Sequence, residues 1–275
     1  MTLSTIRNNP AKQKKVKTKK QKAIAATCAV AFWLLVWHVI SLCVGSELVL
    51  VSPVKVVQTL FTVIFDPDFL KTVWYSAARI LGGFFTALTL GTVLGWVASR
   101  FWVVETLLRP ITAVIKATPV ASFIILVLLW FSGKNLSVII SMLMVFPVIY
   151  MNVLEGIRSA DEKLLEMAQV FRLSVGKKLL YIYLPAVAPF FVSACSVSLG
   201  LCWKSGIAAE VIGTPNGSIG AVFYQAKIFL QTSELLAWTV VVVAVSVAFE
   251  KLFMLFLRLG LKKLKMEDVL NGKRA

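Results

Sequence analysis

Enzymatic chemistry needs an acid–base pair, or a nucleophile with a base to activate it, and this chain assembles neither. Its 275 residues hold a single histidine, His38, and 13 acidic residues. Cys28, Cys43, Cys195 and Cys202 all fall in apolar segments and form no CxxC pair, so disulfide and zinc readings both fail and apolar packing is the default. No metal-ligand set emerges, and His38 reads as a packed or interfacial side chain. Two other ionisable residues are better placed. Lys204 and Glu210 flank residues 205–209 just after a long apolar run. A charged group at a membrane's centre costs roughly 2.5–3.5 kcal/mol, so it turns to a cavity or a partner. Both are therefore candidates to line a solute path, with structural pairing as the alternative. Their six-residue spacing puts them on different helix faces, so no direct ion pair is implied. A phosphate loop is absent too: ahead of Gly176-Lys177 the first glycine position holds Phe171, and Lys178 stands where Ser or Thr belongs. If ATP drives this protein, another chain binds it.

The elements that position these residues are apolar helices. Hydrophobic residues make up 59% of the chain and charged ones 15%, against about 45–50% and about 25% in soluble domains. Uncharged stretches run over 23–46, 80–99, 117–133, 135–154 and 179–203, with a shorter one at 235–249 that residues 252–257 extend. Crossing about 30 Å of hydrocarbon takes roughly 17–25 apolar residues as helix. The fold class is therefore all-α, a polytopic membrane protein with six expected spans. Residues 211–226 are uncharged as well, but Gly213, Pro215, Gly217 and Gly220 interrupt them, so they read as a re-entrant or external connection packed on protein. The first apolar run is longer than a signal peptide's and reads as a retained helix. Gly83, Gly91 and Gly95, with Ala87, recur every fourth residue as a small-residue stripe, expected to pack inside this chain's own bundle, with a subunit interface as the lesser alternative. Pro119, Pro147, Pro185 and Pro189 fall in or at the ends of spans, where they break or kink helices. Arg79 and Lys116 lie near span ends and are expected to snorkel.

The net charge of +16 is concentrated at the ends. Fifteen of the 29 basic residues lie in 1–22 and 251–275. That is an orientation signal with an anionic-lipid contact rather than a nucleic-acid footprint. Alternation of basic loops puts both termini on the cytoplasmic side, which requires an even number of spans. The expected organisation is a basic tail at 1–22, a transmembrane domain at 23–260 and a second basic tail at 261–275.

The longest charged loop, 155–183, reads as two short helices. Ser159 with Glu162 forms a capping-box pattern that opens the first. Leu164, Leu165, Ala168 and Phe171 make its apolar face, with Asp161, Glu162, Lys163 and Glu166 opposite. No local core is large enough to cover that face, so it must dock on the bundle or on another protein. The second helix runs from Ser174 to about Tyr183 and is closed by Leu184-Pro185.

Here the chain resembles the permease subunits of bacterial ABC importers. Their cytoplasmic signature reads Glu-Ala-Ala, three residues, Gly, nine residues, Ile-x-Leu-Pro. This sequence has Glu166-Met167-Ala168, then Arg172 in place of the glycine, then Ile182-Tyr183-Leu184-Pro185, with every spacing kept. The resemblance extends over roughly 48–260 and is strongest to the nitrate/sulfonate/taurine branch. Ser52-Pro53, the run 76–84, Arg109-Pro110-Ile111, Leu129-Trp130-Phe131, Phe146-Pro147-Val148 and Ala209-Glu210 carry it. It implies a permease bundle in the inner membrane whose 159–172 helix couples to ABC ATPase subunits through Asp161, Leu164, Leu165, Glu166, Ala168, Phe171 and Arg172. It also implies a second permease subunit, as a homodimer, and an extracytoplasmic solute-binding protein. ATP and Mg would reside on the ATPase, and the solute would be a small anion such as a sulfonate or nitrate, or taurine. The competing reading is a secondary transporter or channel acting without an ATPase. The lack of a detectable inverted repeat and the scarcity of intramembrane acids weigh against it.

Overall fold

The computed structural model describes residues 19–263, with the side chains of 19–23 and 26 left aside. The expectations for 1–18 and 264–275, including most of both basic tails, lie outside the described residues. The chain divides into two compact units, 1–55 and 56–275. Among the described residues, all regular structure is helical.

In the first unit α1 spans Lys19–Val44. Phe32, Trp33, Leu35 and Leu42 are each more than half exposed, so the helix is apolar all round, as a lipid-facing span requires. It stops at Gly45, whose φ of +63° is left-handed and whose N–H bonds the Ser41 carbonyl. α2, Pro53–Ile64, whose residues from Val56 on belong to the second unit, opens with proline at its first position, and Ser52 Oγ accepts the Lys55 N–H.

The second unit is built on α3 (Phe69–Arg100), α6 (Gly133–Arg158) and α9 (Leu184–Gly213). Ile80 and Phe84 of α3 meet Val145 and Ile149 of α6 and Leu199 and Trp203 of α9 in its main buried cluster. α11, Thr232–Lys263, adds Phe253, which stacks edge-on to Phe84 at 5.3 Å.

Among the described residues, five helical segments are long and apolar enough to cross a membrane. The span expected at 117–133 is not a single straight helix. α5 covers only Val120–Trp130, about 16 Å at 1.5 Å per residue, or roughly half the hydrocarbon thickness. It joins α4 (Trp102–Ala117) through a 110° bend. The cause is Pro119, which has no N–H to continue the helix and forces Thr118 into an extended conformation, ψ 132°. Counted as one broken span, the pair restores six.

The expected stop at Leu184-Pro185 does not occur. α8 (Val175–Lys178) runs through a π-helical turn, Leu179–Tyr183, straight into α9. The Leu184 N–H bonds the Leu179 carbonyl five residues back, a register that carries the helix past a proline unable to donate. Residues 211–226, by contrast, are a connection: α9 ends at Thr214 with φ +40°, and a turn leads to α10, Ile219–Ile228. α10 packs Ile219 against Trp238 and Val241 of α11.

Candidate functional site

The loop after α6 folds as anticipated in outline, with a different cap. α7 spans Glu162–Val170 and Asp161 is its N-cap, its carboxylate accepting the Lys163 N–H at 2.9 Å. Ser159 does not form the expected capping box. It ends α6, and its Oγ donates to the Gly156 carbonyl at 2.9 Å. A carboxylate one residue from the first helical N–H groups complements the helix dipole, so Asp161 displaces Ser159 from the role.

The apolar residues of α7 divide between two directions. Ala168 is fully buried and, with half-buried Leu165, packs on Ala160, Ile182 and Ala186. Leu164, Met167, Val170 and Phe171 point away, and the last two are 79% and 72% exposed. Leu165 and Ala168 therefore fasten the helix to the base of α9, while a separate apolar strip faces outward. Glu166 is exposed beside that strip.

Arg172 shows what its position does. Its φ is +49°, its N–H bonds the Gln169 carbonyl at 3.1 Å, and the Leu173 N–H bonds the Ala168 carbonyl at 2.9 Å. This is a Schellman cap, in which the left-handed residue just past the helix is usually glycine. The turn forms with arginine at the backbone cost of a non-glycine residue there.

Lys204 and Glu210 have unlike surroundings. Lys204 is exposed on α9. Glu210 is wholly buried; its Oε2 accepts Ser76 Oγ at 2.6 Å and the Gly220 N–H at 3.3 Å. Ser76 Oγ in turn accepts the Ile219 N–H at 2.9 Å. One carboxylate thus joins α3, α9 and the first turn of α10, where the helix dipole favours negative charge. Gly220 makes this possible, since a Cβ there would collide with Glu210 itself. Sequence reasoning missed the junction because its partners stand 134 and 143 residues apart along the chain.

Gly83, Gly91 and Gly95 all lie against α6. A Cβ on Gly83 would run into the Val138 carbonyl, one on Gly91 would come within 2.9 Å of Ile149 Cβ, and one on Gly95 within 3.1 Å of the Tyr150 carbonyl. Across the cytoplasm-side ends expected for α4 and α6, Glu105 and Arg158 form an ion pair. Cys195 and Cys202 are buried free thiols, and among the described residues no cluster of three or more His, Cys, Asp or Glu could hold a metal.

Comparison with known proteins joins these observations. Residues 87–265 match the family described as binding-protein-dependent transport system inner membrane component. The aliphatic sulfonates transport permease protein SsuC of Bacillus subtilis is 31% identical over 83% of this chain and 82% of its own length. The taurine transport system permease TauC of Escherichia coli is 27% identical over 78% of this chain and 80% of its own. The nitrate import permease NrtB of Synechocystis is 25% identical over 74% and 76%. With several membrane-length helices and a match across well over half its length, the chain belongs to the family of binding-protein-dependent inner-membrane permeases, as a multi-pass transport subunit of an ABC importer in the nitrate/sulfonate/taurine branch rather than an enzyme.

Proposed function

We propose that this permease imports a small oxyanion, a sulfonate, nitrate or taurine-like solute, and that α7 is the seat of its ATPase. The observation that carries the coupling assignment is the outward strip of Leu164, Met167, Val170 and Phe171 on a helix whose opposite face is already fastened by Leu165 and Ala168. A strip so exposed beside Glu166 and capped by Arg172 suits a groove on another protein. The solute class is supported by the relatives, named for aliphatic sulfonates, taurine and nitrate.

In this reading two copies of the chain form the pathway and two ATPase subunits, carrying ATP and Mg, grip α7. An extracytoplasmic binding protein delivers the solute. Both termini face the cytoplasm, with basic residues such as Lys262 and Lys263 against anionic lipid. ATP binding closes the ATPase pair and pulls on α7, and each permease switches between inward- and outward-facing states. Lys204 is a pathway candidate because it is exposed on α9; Glu210 serves as the buried junction that keeps α10 on α9.

The test is co-purification. Phe171→Glu and Val170→Glu put charge on the outward strip without touching the buried face. Each should abolish retention of the ATPase by the solubilised permease, with the unfolding midpoint unchanged. Normal retention by both variants would remove the assignment.

A further inference from the structure

A cavity of about 610 Å³ lies between α4 and the C-terminal end of α6. Its wall carries Glu105, Arg109 and Lys116 from α4, and Tyr150, Glu155 and Arg158 from α6. Glu105 and Arg158 neutralise each other across the opening. Among the described residues, Arg109, Lys116 and Glu155 have no ion-pair partner. The unpaired charge of the wall is therefore positive. Arg109 and Lys116 are seven residues apart, two turns of one helix, so both point from the same face about 10 Å from each other along the axis.

Tyr150 adds an independent sign of a ligand. It is 1% exposed, and its hydroxyl has no hydrogen-bond partner. A buried hydroxyl left unpaired costs about 1–3 kcal/mol, and native structures rarely leave one so. The unmatched groups of this wall are thus two cations, the single carboxylate of Glu155 and a neutral donor; the cations outnumber the carboxylate, and with the donor they form a set that recognises an oxyanion. A guanidinium matches two oxygens of a planar or tetrahedral anion, an ammonium acts as a point charge, and the hydroxyl supplies a directed bond.

We propose that this cavity is an oxyanion-binding site of the permease itself, with Arg109 and Lys116 holding the anion's oxygens and Tyr150 Oη donating to them. The Glu105–Arg158 pair sets the spacing of the two walls. Because α6 continues from Arg158 through residues 159–161 into α7, an anion held here sits beside the helix that leads to the ATPase seat. The proposal rests on the reading that the solute is a small oxyanion, and deepens it by placing that solute on the permease.

The test uses the assembled permease–ATPase complex in lipid nanodiscs, without binding protein, titrated by calorimetry with sodium ethanesulfonate, taurine or sodium nitrate against sodium chloride as the ionic-strength control. Saturable binding of at least one of the three is expected. Arg109→Gln and Lys116→Gln should each weaken it about tenfold, the loss of one charged hydrogen bond. Tyr150→Phe should weaken it by a smaller factor with the unfolding midpoint unchanged, and Lys134→Gln, outside the cavity, should leave it as it was. Equal affinity in the Arg109 and Lys116 variants overturns the site. So does an absence of saturable binding in a preparation that imports one of these anions when binding protein and ATP are added, an outcome that leaves the import reading standing. Failure to import any of the three overturns the import reading itself.

Discussion

Two adjacent glycines of α3 allow one substitution to be made in opposite settings. A Cβ at Gly82 meets nothing within 4 Å, whereas at Gly83 it would strike the Val138 carbonyl and come within 2.8 Å of Ser141 Cβ. Alanine is favoured over glycine in a helix interior by up to about 1 kcal/mol. Gly82→Ala should therefore be neutral or slightly stabilising. At Gly83 the same gain is opposed by a collision with backbone inside α6, which cannot swing aside as a side chain would. α3 and α6 must separate, and overpacking of this kind costs about 1–3 kcal/mol. The net is a loss of about 0–2 kcal/mol for Gly83→Ala, and the two variants should differ by about 1–3 kcal/mol. For a chain of this size, each kcal/mol moves the midpoint by about 2–4 °C. The assay is thermal unfolding of the detergent-solubilised permease. Gly82→Ala should melt at or slightly above the wild type, and Gly83→Ala several degrees below Gly82→Ala. Equal midpoints for the two variants, or the reverse order, would refute the claim that this stripe seats α3 on α6.

Other consequences follow from the same geometry. Glu210→Ala leaves Ser76 Oγ and the Gly220 N–H without their acceptor, at about 1–3 kcal/mol each, and should open the 214–231 connection to protease; Glu210→Gln, which keeps an acceptor, should do so less. Gly220→Ala should lower the unfolding midpoint by driving α10 off α9. Arg172→Gly relieves a left-handed arginine and should stabilise the end of α7 by about 1 kcal/mol, seen as slower amide exchange over 162–173 with ATPase retention intact. Leu165→Glu, unlike Phe171→Glu, should lower the unfolding midpoint as well as release the ATPase, because Leu165 packs in the cluster that fastens α7.

Hydropathy made the long helices legible, because an uncharged run of membrane length has few other uses. It failed at 117–133, where the apolar count is right but Pro119 bends the path, a backbone effect that composition does not weigh. Ile182-Tyr183-Leu184-Pro185 looked like a stop because proline ends most helices; the π turn that rescues it depends on hydrogen-bond register. In α7 the residue types were readable and their division was not. Leu165 and Ala168 separate from Leu164 and Phe171 only once the base of α9 is in place beside them. Lys204 and Glu210 looked alike in sequence, two charges near the end of one apolar run. Ser76 and Gly220, far apart in the chain, make the second a buried junction. The i, i+7 spacing of Arg109 and Lys116 was available as a signal, but Lys116 read as a snorkelling residue until α6 closed a cavity over it.

Solute uptake by proteoliposomes distinguishes ATP-coupled import through α7 from transport by the permease alone. Vesicles holding the permease with its ATPase, supplied with binding protein outside and ATP inside, should accumulate radiolabelled ethanesulfonate, taurine or nitrate. Accumulation should stop when ATP, the ATPase or the binding protein is omitted, or when Phe171→Glu replaces the wild-type chain. Uptake by the permease alone down an ion gradient, or undiminished ATP-driven uptake by Phe171→Glu, would contradict coupled import through α7.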